Sequence, residues 1–149
     1  MQKWVSLAVG FVAELYGAVV YHTGDELWVE HSLRVARCFD PEREPECFVA
    51  GLLHDVVEDR ICTPERICQH MVSVLGVDRD RVVAVMDIVG ALTRRDGEGY
   101  MGYIRRLGDN YLAVRVKIAD INDNLYGRPT KPGHDLAIRY HRALKYLES

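Results

Sequence analysis

Apolar residues recur along this 149-residue chain at three- and four-residue intervals, the spacing that lines one face of an α-helix. Trp4, Leu7, Ala8, Phe11, Leu15, Ala18 and Val19 form the first stripe, in a stretch uncharged from Trp4 to Ala13. Glu14 interrupts that stretch, well short of the ~20 apolar residues a bilayer crossing needs. Lys3 alone is too little positive charge for a secretory leader, and small residues are poorly placed for cleavage. A first core helix is the expectation. Trp28, Val35 and Cys38 share a face of a second helix, and Phe48, Val49, Leu52, Leu53 and Val56 line a third. Thr63 followed by Pro64 predicts an N-cap and first helical residue, opening a helix that runs towards Leu75. Val82, Val85, Met86, Val89 and Leu92 make a fifth stripe. Leu136, Tyr140, Ala143, Leu144 and Leu147 make another near the C-terminus, capped by Asp135 or a neighbour.

One segment reads two ways. Val114, Val116 and Ile118 alternate with Arg115 and Lys117, a pattern that equally suits a half-buried strand. No second strand candidate exists to pair with it, so a helix is the cheaper assumption. Breaks fall at Thr23-Gly24-Asp25, Asp40-Pro41, Gly76, Asp96 to Gly99, Gly108-Asp109 and Arg128 to Gly133. No repeat or long linker divides the chain. The expected fold is all-α: one domain over residues 1–149, a bundle of about six to eight helices.

Composition narrows the function classes. With 48% hydrophobic and 28% charged residues the chain is neither disordered nor low-complexity. A net charge of −3 lacks the basic footprint of a nucleic-acid binder, so no duplex partner is expected. Cys38, Cys47, Cys62 and Cys68 form no CxxC pair and fit no common zinc spacing. They read as reduced, mostly buried thiols of a cytoplasmic protein.

Candidate chemistry concentrates in Leu53-His54-Asp55-Val56-Val57-Glu58-Asp59. A histidine and an aspartate ending an apolar helix are costly to bury unless something binds them. Neighbours on a helix point about 100° apart, yet both can reach one ion lying between those directions. Glu58 follows His54 by four residues and Asp59 follows Asp55 by four, so each has an acid one turn on. Such crowding of ionisable groups calls for a cation. His31 occupies an apolar position on its stripe, and Asp120 and Asn124 continue the face of Val116. Two imidazoles and two carboxylates suit a six-coordinate ion such as Mn²⁺ or Fe²⁺ better than thiolate zinc, with positions left for water or substrate. Each residue also has an ordinary reading. His31 suits a satisfied core histidine, Asp120 an N-cap or a partner of Lys117, and Glu58-Asp59 a solvated helix end.

The order His31 … His54-Asp55 … Asp120 resembles the HD-domain metal-dependent phosphohydrolases, and more narrowly the hydrolase domains of RelA/SpoT-type alarmone enzymes. The similarity runs from about Tyr21 to Leu125. Its segments are His31-Ser32-Leu33-Arg34-Val35-Ala36, Ala50-Gly51-Leu52-Leu53-His54-Asp55-Val56-Val57-Glu58-Asp59, Ala91-Leu92-Thr93-Arg94 and the run from Val116 to Leu125. The resemblance implies Mn²⁺ held by His31, His54, Asp55 and Asp120, with Glu58 and Asp59 positioning or deprotonating water. Asn124 would lie at the substrate near its sugar, and Arg94, Lys117 or Arg128 would meet phosphate. The implied substrate is a small phosphorylated nucleotide. The chain departs from the alarmone pattern at His22-Thr23, where those hydrolases carry an arginine–lysine pair ahead of a glycine–glutamate–proline–tyrosine run; here Gly24-Asp25-Glu26-Leu27-Trp28 follows. No synthetase or regulatory region is expected after Ser149. A non-catalytic nucleotide-binding module and an HD 5′-nucleotidase stay open as alternatives.

Overall fold

Helical periodicity is realised throughout the described residues of a computed structural model, 1–17 and 26–149, with Trp28 described by its backbone alone. Among the described residues there are eight α-helices and no strand: α1 (Lys3–Tyr16), α2 (Trp28–Ala36), α3 (Pro45–Glu58), α4 (Pro64–Gln69), α5 (Arg79–Leu92), α6 (Tyr100–Leu107), α7 (Tyr111–Asn122) and α8 (His134–Leu147). Single π-helical turns extend α4 over His70–Val74 and α7 over Asp123–Gly127. The segment that alternated like a strand is α7. No described helix is long and apolar enough to cross a membrane.

Capping follows local chemistry. The Thr63 hydroxyl accepts the Arg66 amide at 3.2 Å, with Pro64 opening α4. Asp78 caps α5 and Asn110 caps α7 in the same way, taking the amides of Asp80 and Ala113. α1 stops at Gly17, whose φ of +53° is one a side chain rarely adopts.

α3 is the central helix, packed against α1, α2, α5 and α7. Its residues Cys47 to Leu53 and Val56 are buried on nearly every face. A second, smaller core joins Tyr103, Ile104 and Leu107 of α6 to Ile121, Leu125 and Ala143. α7 belongs to both, through Ala113 and Val116 on one side and Ile121 on the other. Clefts between packed helices are where ligand sites form, and Asp120 lies at this junction.

Several expected positions differ. α1 buries a broader arc, with Val5, Val12 and Tyr16 joining Trp4, Ala8 and Phe11, while Leu7 is only half-buried. Ala18, Val19 and the Thr23-Gly24-Asp25 break lie outside the described residues. So does the Trp28 side chain, leaving His31, Ser32, Val35 and Ala36 as the buried side of α2. Cys38 does not share that face: the helix stops at Ala36 and the chain turns, so Phe39 enters the core and Cys38 is exposed. Cys47 and Cys62 are buried, Cys68 is half-buried, and all four thiols are free. Gly133 rather than Asp135 precedes α8. Leu136 is 39% exposed, because α8 turns Ala137, Tyr140, Ala143, Leu144 and Leu147 to its neighbours.

Candidate metal centre and its pocket

Close approach of α2 to α3 sets the centre. A Cβ at Gly51 would stand 3.0 Å from the Ala36 Cα, so only glycine permits this spacing. His31 on α2 thereby meets His54 on the last turns of α3, Nε2 to Nε2 at 3.2 Å. Asp120 of α7 brings its Oδ1 to 2.9 Å from His31 Nε2 and 3.2 Å from His54 Nε2. The ligating atoms of these three buried residues all lie within 4.8 Å of one another. Asp55 adds Oδ2 at 3.2 Å from His54 and 3.6 Å from His31.

The outer ring nitrogens show which atoms face inward. His54 Nδ1 donates to the Gly51 carbonyl at 2.6 Å, and a carbonyl only accepts. The neutral tautomer of His54 therefore turns its lone pair at Nε2 towards the centre. His31 Nδ1 likewise meets Asp123 Oδ2 at 2.6 Å. Lone pairs of two imidazoles and a carboxylate facing one another repel unless positive charge sits among them. Protonation is one answer. Burial would depress His31, but its hydrogen bonds with Asp120 and Asp123 hold it above its ordinary value. Burial opposes His54 too, and the charges of Asp55 and Asp120 hold it well above. A divalent cation is the other answer, since it competes with those protons for the same lone pairs. The nitrogen–oxygen donor set fits such an ion.

Asp120 is divided between two tasks. Its Oδ2 accepts from Lys117 Nζ at 2.8 Å, one turn back on α7. Burial would raise the Asp120 carboxyl, yet Lys117 and then His54 hold it well below the carboxylate range. Lys117 is itself buried, its ammonium 5.2 Å from the Tyr103 ring. Burial disfavours its charge, and Asp120 overrides this to keep it protonated well beyond its usual range. Lys117 is thus neither a surface cation nor free for phosphate alone, although it borders the pocket. Asn124 Nδ2 reaches Asp120 Oδ1 at 3.3 Å from the π turn.

A cavity of about 630 Å³ opens over this floor. Glu58 and Asp59 line it from the end of α3, and Asn124, Arg94 and Arg128 line it from elsewhere. Both side chains still reach solvent, but the pocket wall strips part of their hydration, which pushes Asp59 up to about 7, helped by the charges of Asp55 and Glu58. The same partial desolvation raises Glu58, with Lys117 opposing. Arg94 is anchored, its Nε donating to the Glu98 carbonyl at 2.9 Å. The far wall contains groups the sequence did not announce: Tyr100 of α6, Lys131 before α8, and Arg139 and Tyr140 on it. Tyr140 reads in the sequence as part of the apolar stripe of α8 and not as a pocket wall, and solvent-facing cations carry no periodic signal. Asp123 was also missed, though its place one turn beyond Asp120 was a signal available in the chain. His22-Thr23 lies outside the described residues.

Glu98 ties the rim loop down. Its carboxylate takes two bonds from Arg106, at 2.8 and 2.9 Å, and the Arg95 amide at 3.1 Å. The Arg106 bond and the backbone bond hold Glu98 down at about 2 against an ordinary 4.5. A depressed carboxyl stabilises the fold above its unfolded value and loses that contribution as pH falls through its folded value. The melting-temperature gap between wild type and Glu98→Gln should therefore be constant above pH ~5. It should close as pH falls from 4.5 towards about 2, and a gap that widens there would contradict this role.

Compared with known proteins, the chain matches no protein-family model and no curated sequence, so its function is read from the geometry of this centre.

Proposed function

We propose that the chain is a metal-dependent phosphohydrolase of the HD type, acting on a phosphorylated nucleotide or a related small phosphate ester. One observation carries the reading. Two imidazole nitrogens lie 3.2 Å apart, each 2.9–3.6 Å from carboxylate oxygens of Asp55 and Asp120, on the floor of a pocket that also holds two acids of raised proton affinity. His31, His54, Asp55 and Asp120 would hold the ion, Mn²⁺ by preference and Fe²⁺ otherwise. A divalent cation there supplies acidification of water and polarisation of a phosphoryl oxygen.

The remaining work falls to the chain's own side chains. Asp59, with its proton affinity near neutrality, and Glu58 beside it are suited to orient water and accept its proton. Arg94, Arg128, Lys131 and Arg139 give the pocket positive charge for phosphate, with Arg94 and Arg139 lying over the Tyr100 ring, and Tyr140 offers an apolar face to a base. Asn124 stands between the floor and the open pocket, where a sugar hydroxyl would lie. Cytoplasmic location is part of this proposal, in keeping with the free thiols.

His22-Thr23, replacing the alarmone enzymes' basic pair, favours a second reading: a nucleotide-binding module that keeps the metal without turnover. A screen of nucleotides and phosphate esters with added Mn²⁺, scoring pyrophosphate and orthophosphate separately, decides among them. Pyrophosphate release supports the alarmone-like reading, and orthophosphate with free nucleoside supports a 5′-nucleotidase. Tight calorimetric binding without product supports the module. Absence of stoichiometric divalent metal in the purified chain defeats all three.

A further inference from the structure

His31 is gripped through both ring nitrogens by a single helix. Asp120 Oδ1 stands 2.9 Å from Nε2, and Asp123 Oδ2 stands 2.6 Å from Nδ1. The two aspartates are three residues apart, so one helical turn presents both to the same ring. Asp120 belongs to the centre, whereas Asp123 touches the side of His31 that faces away from it.

Asp123 is held with unusual thoroughness. Its side chain is only 8% exposed, so its charge needs partners. Arg34, three residues after His31 on α2, donates Nε to Oδ1 at 2.7 Å and Nη2 to Oδ2 at 3.1 Å. The same Nη2 bonds both carboxylate oxygens of buried Glu26, at 2.8 and 3.1 Å. A third constraint comes from the backbone. Asp123 opens the π-helical turn that ends at Gly127, and a Cβ at Gly127 would lie 2.0 Å from Asp123 Oδ1 and 2.9 Å from its Cγ. Any larger residue there must move the carboxylate. π-helical turns are rare and are found frequently at functional sites.

We infer that Asp123 is a positioning residue for the metal ligand His31: by accepting the Nδ1 proton it fixes the ring's tautomer and plane so that Nε2 faces the centre, while Arg34 and the bare Cα of Gly127 hold the carboxylate in place. This rests on the proposed metal centre. The physical effect is twofold. An ionised acceptor at Nδ1 makes Nε2 a better donor, and a ring already fixed loses no rotational freedom on binding. Outer partners of metal-bound histidines of this type are worth about 10–100-fold in metal affinity.

The test is a calorimetric titration of the full chain with Mn²⁺ alone, alongside melting and circular dichroism without added metal. Asp123→Ala is expected to bind Mn²⁺ about 10–100-fold more weakly than wild type. Asp123→Asn, which keeps an acceptor for Nδ1–H, should recover most of that loss. Gly127→Ala deletes no polar group, yet should weaken Mn²⁺ in the same direction by displacing the Asp123 carboxylate. Nitrogen-15 spectra of the Zn²⁺-loaded chain should show His31 protonated at Nδ1 in wild type and in Asp123→Asn. A merely structural tie between α2 and the π turn would lower the melting temperature and leave the Mn²⁺ affinity of the folded variants unchanged, and that result overturns the inference. Wild type that binds Mn²⁺ while Asp123→Ala and Gly127→Ala bind it equally well overturns this inference alone. Wild type that binds no Mn²⁺ overturns the metal centre itself.

Discussion

Asp120→Ala is expected to abolish stoichiometric Mn²⁺ binding and to destabilise the chain by about 3–5 kcal/mol, the cost of breaking a buried ion pair. Both effects come from one carboxylate. Its Oδ1 is shared by the two imidazoles, and its Oδ2 pairs with Lys117 at 2.8 Å. Truncation leaves a buried ammonium without its hydrogen-bonded counter-charge, and the neighbouring Tyr103 ring supplies only a weak quadrupole. The two losses separate in a double variant. Asp120→Ala with Lys117→Met removes the stranded charge and should regain most of the stability in urea unfolding, while Mn²⁺ binding stays lost. A single variant that still takes up one ion per chain would remove Asp120 from the centre.

Glu58→Ala is expected to behave in the opposite manner, retaining Mn²⁺ and the fold while turnover falls by about 10²–10⁴, the range for loss of a general base. Glu58 lies exposed at the pocket's edge on the last residue of α3, and truncations at such positions cost within about 0.5 kcal/mol. Its role would be to act on water above the floor without contributing to the floor itself. Metal content by emission spectroscopy and steady-state kinetics on the substrate found by the screen check both halves. Full turnover with unchanged metal content would transfer the proton to Asp59 alone, the residue whose affinity already stands near neutrality.

Much of this was legible before any coordinates. Phe48, Val49, Leu52, Leu53 and Val56 announced α3, and Val82, Val85, Val89 and Leu92 announced α5, because apolar residues at helical spacing must share a buried side. Thr63-Pro64 marked a helix start through backbone chemistry confined to a few residues. The His31, His54 and Asp120 intrusions stood out for the same reason: each interrupts a face that packing otherwise requires to be apolar. Cys38 and Leu136 were misplaced because periodicity does not say where a helix stops or which of its margins meets a neighbour.

What the sequence by itself determined is the all-helical pattern, the apolar stripes of helices such as α3 and α5, and the presence of polar residues where core was due. Only the tertiary structure decided that the Lys117–Asp120 pair is buried beside Tyr103, that Asp123 and Arg34 brace His31, and that Arg139 and Tyr140 of α8 line the pocket. The reason is physical. Periodicity expresses interactions among residues within a turn or two, whereas an ion pair or a pocket wall depends on which helices abut. That choice is set by volumes and close approaches, such as the bare Cα of Gly51 against Ala36, which no local pattern records.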